Sequence, residues 1–308
     1  MNVLNISLFG TVRISHSNPS IPSCKSTHTI QALLAYLALQ RNRLHPRDVL
    51  AGLLWGEHDS VRARNCLNTA LWRLRQVVEP DGVPDGTYLL TNDHGDIGFN
   101  QDSPHWLDVA AFEDGLKPLR DVMPQTLAEQ QAQALDEALI LYTGDLLEGF
   151  YDEWALRERE MMRRLFLNGQ AYLMEYYKHH HQYERSLACG HKILLQDPLR
   201  EEIHREMMCI YAESGHRSMV AHQYEICKKA LATELGVAPL EETQHLYQQL
   251  VVSSPAEALP FRREPSSEIE ESIAVLRQAA QNLAQIQHEM LQVAQRLRSI
   301  AHETDEPN

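Results

Sequence analysis

The stretch from Val61 to Val78 (VRARNCLNTALWRLRQVV) holds four arginines, two asparagines and no Asp or Glu. Wound as a helix, it gathers Cys66, Leu67, Ala70, Leu71, Leu74 and Val78 on a face suited to packing. The other side presents Arg62, Arg64, Asn65, Asn68, Thr69, Trp72, Arg73 and Arg75. An Arg fork matches guanine O6 and N7, an Asn carboxamide matches adenine N6 and N7, and Arg and Thr also donate to phosphates. Ordinary solvated faces mix charge signs, so the lack of acid is the informative feature. We expect this segment to enter the major groove of double-stranded DNA, with those eight residues as contacts.

Other candidates carry less. Lys25, Arg41, Arg43 and Arg47 fall near helix starts and loops, where phosphate clamping and plain solubility are equally good readings. Among 16 histidines, His179-His180-His181 invites a metal. Consecutive helical residues point about 100° apart and do not converge on one ion, so these read as a solvated helix end. Glu201-Glu202 and Glu241-Glu242 sit at helix starts, where carboxylates favour the positive end of the macrodipole. Asp145 with Glu148, or Asp152 with Glu153, has the composition of an acid–base pair, yet no nucleophile or phosphate loop accompanies either. The expectation is a protein that is not an enzyme and needs no cofactor or metal.

The elements that must position the helix are legible around it. Leu4, Ile6 and Leu8, then Val12 and Ile14, alternate like two short strands about a turn at Gly10-Thr11. Helices follow at Thr29–Gln40, at His45–Trp55 with Pro46 in its first turn and Gly56 after it, and at Ser60–Val78 behind Asp59 or Ser60 as cap. Thr87–Asn100 reads as a hairpin turning at Asn92–Gly95. This order is the plan of a winged helix. Its wing tip carries Asp93 and Asp96, which repel phosphate and leave only neutral contacts to Thr91, Asn92 or His94.

From Trp106 onward the pattern is nearly all helical. The segment from Tyr183 resembles one about 33 residues later from His216, and each precedes a proline restart, at Pro198 and Pro239. That spacing suggests a tetratricopeptide-like array. Aromatic Tyr142, Trp154, Tyr172, Tyr176 and Tyr177 suit its core better than a ligand groove. After a linker at residues 254–265, residues 266–303 read as a heptad helix with Leu276, Leu283, Met290 and Leu297 at a and Ala279, Ile286, Val293 and Ile300 at d. This pattern predicts a coiled coil, and Leu at a with β-branched residues at d favours a tetramer over a dimer. A helix folded back on the repeats is the alternative. The fold class is therefore mainly α with a small β component: winged helix at 1–102, helical domain at 103–253, linker, and terminal coiled-coil helix.

The net charge of −14 weighs against DNA until it is divided. Residues 1–100 hold nine Lys/Arg against eight Asp/Glu, so the acidity belongs to the rest of the chain. Five cysteines without a C-x-x-C pair suit reduced thiols, and no apolar run has the length of a membrane span. A cytoplasmic protein with no membrane partner is expected.

These residues also resemble a known family. ISLFGTVRI, ALLAYLAL, LAGLLWGE and ARNCLNTALWRLRQ resemble the OmpR/PhoB-type winged helix of SARP-like bacterial regulators. ALILYTGDLLEGFYDEWALRERE, YERSLACGHKILLQDPLREEIHREMM and YEICKKALATELGVAPLEETQHLY resemble the bacterial transcriptional activator domain that follows it. The resemblance implies a tetratricopeptide-like domain beside the DNA-binding unit and activation through contact with RNA polymerase at promoters with direct repeats. It places Ser60–Val78 as the recognition helix. The chain contains no G-x-x-x-x-G-K-[ST] loop of the ATPase-bearing relatives. The rival expectation is a helical adaptor whose repeat groove takes a peptide or small ligand.

Overall fold

The computed structural model describes residues 3–18, 27–117 and 122–252. Lys25 and the predicted linker and heptad positions from Leu276 to Ile300 lie outside them.

Strand β1 (Leu4–Ser7) buries Leu4 and Ile6 completely, as its alternation requires. It pairs antiparallel with β2 (Arg13–His16) in a register that sets Leu4 against His16. Its other edge takes β5 (His105–Leu107) in parallel, giving the order β2-β1-β5. The helical pattern expected from Trp106 gives way here to strand, because three residues are too few to show a period and their partner lies about a hundred positions away.

Helix α1 (His28–Leu39) is buried on almost all sides, which its uninterrupted apolar run demands. Helix α2 (Arg47–Trp55) starts after Pro46 rather than at His45. His45 instead exchanges two backbone hydrogen bonds with Ile97, at 2.8 and 2.9 Å. Helix α3 (Ser60–Val78) is capped by the Asp59 carboxylate, which accepts from Val61 N and Arg62 N at 3.1 and 3.0 Å. It buries Ala63, Leu67, Ala70, Leu71, Leu74, Val77 and Val78 against α1 and α2. Strands β3 (Leu89–Thr91) and β4 (Ile97–Phe99) complete a winged helix. Gly95 turns the wing at φ +82°, a conformation a side chain would resist.

The rest of the described chain is helical: α4 (Asp108–Gly115), α5 (Glu129–Ile140), α6 (Glu153–His179), α7 (Tyr183–Gln196), α8 (Glu201–Glu213), α9 (Arg217–Glu234) and α10 (Glu241–Val252). A shift of 34 residues carries buried Ser186, Cys189 and Ile193 of α7 onto buried Val220, Gln223 and Cys227 of α9. The α7–α8 and α9–α10 hairpins are thus two copies of one unit. Tyr142, Trp154, Tyr176 and Tyr177 are buried in the core, and half-buried Tyr172 donates its hydroxyl to the Val122 carbonyl at 2.6 Å.

The two halves are fastened to each other. Buried Asp108 accepts from the backbone N–H of Leu8, Phe9 and Val109 at 2.7, 3.0 and 2.7 Å. Arg159 of α6 donates to the carbonyls of Leu146, Leu147 and Phe150 and holds that loop against the free end of β1, where Leu147 N donates to Leu8 O. His28 stacks on Phe150 with centroids 4.0 Å apart, and Arg41 of the α1–α2 loop pairs with Glu113 of α4 at 2.7 Å. The base of the winged helix therefore rests on the helical half.

Candidate nucleic-acid interface

With about 100° per residue, the outward strip of α3 runs Val61, Asn65, Asn68, Thr69, Trp72 and Gln76, all exposed. Trp72, at 63 % exposure, occupies its middle. Arg62 and Arg73 border one edge of the strip and Arg64 and Arg75 the other. The two edges have different surroundings.

On the first edge, Arg62 and Arg73 line a groove of about 340 Å³ with Thr29, Trp55, Asn65, Cys66 and Thr69. Neither guanidinium forms a hydrogen bond or an ion pair with another described residue; the Arg62 backbone N–H caps onto Asp59, and its guanidinium acts on that carboxylate only through its field. Asn65 and Trp72 likewise keep their side-chain polar atoms unengaged among the described residues. Thr69 donates its hydroxyl to the Asn65 carbonyl at 3.0 Å, which leaves the oxygen to accept.

On the second edge every arginine is engaged. Arg75 donates to Glu79 at 2.7 Å, to Leu89 O at 3.3 Å and to Thr91 Oγ1 at 3.1 Å. Glu79 is buried, and its second oxygen accepts from Tyr88 N and Leu89 N at 2.8 and 2.9 Å. Arg75 and Glu79 thus weld the end of α3 to the root of the wing. Arg64 donates Nε and Nη2 to the two oxygens of Asp48 at 2.6 and 2.9 Å. Those bonds hold the Asp48 carboxyl below the usual carboxylate range. Arg47 donates Nε to Gly95 O at 2.9 Å and Nη1 to Asn68 Oδ1 at 2.7 Å, joining α2, the wing turn and α3.

Acid is absent from α3 itself, but Asp48 brings one beside it. Sequence reasoning passed over Asp48 and weighed Arg47 only as a loop clamp. The visible signal was the adjacent pair in the first turn of α2, and no periodicity links it to Arg64 sixteen residues on.

At the wing tip Asn92 Oδ1 accepts from His94 N and Asp96 N at 3.0 and 2.8 Å, and its Nδ2 donates to Asp96 Oδ2 at 3.0 Å. Asp96 is spent within the turn, and Asp93 faces solvent. Among the described residues Arg43 hydrogen-bonds Gln40, at 3.3 Å.

In the helical half, His179, His180 and His181 fan out at the exposed end of α6; the first two rings stand at 89° to each other. Lys178, Glu206 and Glu213 line an open groove of about 760 Å³ between α6 and α8, and Lys178 pairs with both acids at 2.6 and 3.7 Å. No described helix is long and apolar enough to cross a membrane.

Comparison with known proteins agrees with this layout. Residues 107–251 match the family model of the bacterial transcriptional activator domain. The chain is 26% identical to the transcriptional regulatory protein MoaR1 of Mycobacterium bovis, over 84% of this chain and 86% of that protein. It is 24% identical to the regulatory protein AfsR of Streptomyces coelicolor over 73% of this chain, which spans only 22% of AfsR. Among solved structures, Mycobacterium tuberculosis EmbR in complex with a low-affinity phosphopeptide aligns with a TM-score of 0.56 at 21% identity. That match covers 83% of this chain and 66% of EmbR, and it speaks to the fold alone.

Proposed function

We propose that this chain, a SARP-like bacterial transcription regulator, binds duplex DNA by laying α3 in a major groove and recruits RNA polymerase to the promoter it occupies. The observation that carries the reading is the outward strip of α3. It has no acid along 19 residues, it exposes the side chains of Asn65, Trp72, Arg62 and Arg73 with their polar atoms unpartnered among the described residues, and it lies between a groove and a wing. Side chains of these types, left unsatisfied on a rigid and well-packed helix, are suited to base edges and phosphates.

In this reading residues 1–102 contact DNA, residues 103–253 meet the transcription machinery, and the protein works in the cytoplasm. The acidic helical half keeps its own surface off the phosphates and leaves orientation to the winged helix. The heptad positions from Leu276 to Ile300 join protomers, so that several half-sites are held together and apparent affinity rises through effective concentration. Footprinting on the DNA upstream of the protein's own gene tests the reading. We expect a protected tract with repeated half-sites, and uniform cleavage would contradict it. For the tail, light scattering of a chain ending before Pro265 should show a smaller assembly; an unchanged stoichiometry would refute that part.

A further inference from the structure

We propose that Asp48 is a specificity-determining positioning residue: it grips one edge of the Arg64 guanidinium and presents the other edge as a preset fork for a guanine. The inference rests on α3 reading DNA and concerns how one of its side chains does so.

A guanidinium has two donor forks, a side edge made of Nε–H with one Nη2–H and an end edge made of the other Nη2–H with an Nη1–H. Asp48 takes the side edge with both carboxylate oxygens, at 2.6 and 2.9 Å. The end edge is left whole, and the side chain is 58 % exposed, so that edge is open to a ligand. Two parallel N–H donors in one plane fit O6 and N7 of guanine, the commonest base-specific contact in the major groove.

The other arginines of α3 lack this arrangement. Arg75 spends both Nη atoms of its end edge on Glu79, Leu89 and Thr91. The guanidiniums of Arg62 and Arg73 have no partner among the described residues to fix them, so either must lose rotamer freedom when it binds. Arg64 has its plane set before DNA arrives.

Two features argue that stability is not what Asp48 serves. The pair is exposed on both sides, and exposed pairs add little to folding. A carboxylate near the phosphates also weakens attraction to DNA. A place in the first turn of α2 suits an acid, but that preference alone does not require both oxygens to engage a single arginine.

The test uses the full chain and a library of random duplexes, followed by titration of duplexes differing at single base pairs. The wild-type protein should select a site with a guanine that Arg64→Ala no longer prefers. Asp48→Asn should cut the preference for that guanine by roughly tenfold while its melting temperature and its affinity for duplexes lacking that guanine hold or rise. Asp48→Glu should keep part of the preference. The double variant Asp48→Asn/Arg64→Ala should discriminate no worse than Arg64→Ala alone. An Asp48→Asn protein with unaltered base preference, or losses that add in the double variant, would overturn the proposal. A wild-type protein that enriches no sequence overturns both this inference and the reading of α3 beneath it.

Discussion

Helices α3 and α8 are built alike on their inner sides and differently on their outer ones. Each buries an apolar stripe completely at its centre, with Leu67 and Leu74 in one and Met207 and Met208 in the other. The polar side of α8 is knitted to its neighbours. Glu206 takes Lys178 of α6, Arg205 donates to Thr243 and pairs with Glu242, and Glu201 accepts from Leu240 N and Thr243 Oγ1 at the start of α10. Among the described residues the central strip of α3 reaches outward to nothing except where Arg47 holds Asn68. A helix whose polar face is consumed by its own fold serves the fold. A helix whose polar face is left over is available to a partner.

Substitutions on the inner and outer faces separate the two helices. Removing the shared feature has the largest effect: Leu74→Ala or Met207→Ala should each cost about 2–5 kcal/mol of stability, read by urea unfolding, because both leave a cavity in a packed core. Outer-face changes should then part company. Lys178→Ala on the knitted side should lower stability by about 1 kcal/mol, since it strips partly buried Glu206 of its cation. Arg73→Ala should stay within about 0.5 kcal/mol of wild type in the same assay.

The knitted half also carries a pH signature. Buried His204 donates Nε2–H to Pro198 O at 3.0 Å and accepts from Gln223 at Nδ1, 2.7 Å away. Burial holds its pKa below the usual value near 6.5. The folded protein thus keeps the ring neutral where the unfolded chain would protonate it. Its contribution is complete above that value and is lost as pH falls below it. Stability measured from about pH 7 to about pH 5 should decline, and His204→Gln should flatten part of that slope; an equal slope in the variant would count against the assignment. The smallest effect is expected at the wing. Asp93→Asn should raise DNA affinity by a few tenths of a kcal/mol at low salt if the tip lies near a phosphate.

Much of this was legible in the residues, for identifiable reasons. Helix α3 announced itself through its period, its cap at Asp59 and the absence of acid, and the wing through Asn92 and Gly95. Strand β5 stayed hidden because three residues carry no period and its partner is distant in sequence. The split between the two edges of α3 was also illegible. Arg64 and Arg73 flank the outward strip symmetrically on a helical wheel, and only the packing of α2 beside α3 shows that one is gripped by Asp48 and the other is not. The structural role of Arg75 depended likewise on Glu79 being drawn under the wing root.

The central claim is that the unconsumed face of α3 is a DNA-binding surface. Fluorescence anisotropy of the full chain on a footprinted duplex, wild type against Arg62→Ala/Arg73→Ala, tests it most directly. The variant should form at least a tenfold weaker complex, about 1.4 kcal/mol, with a shallower dependence on salt and an unchanged unfolding midpoint. Equal affinity and equal salt dependence for the two proteins would contradict it.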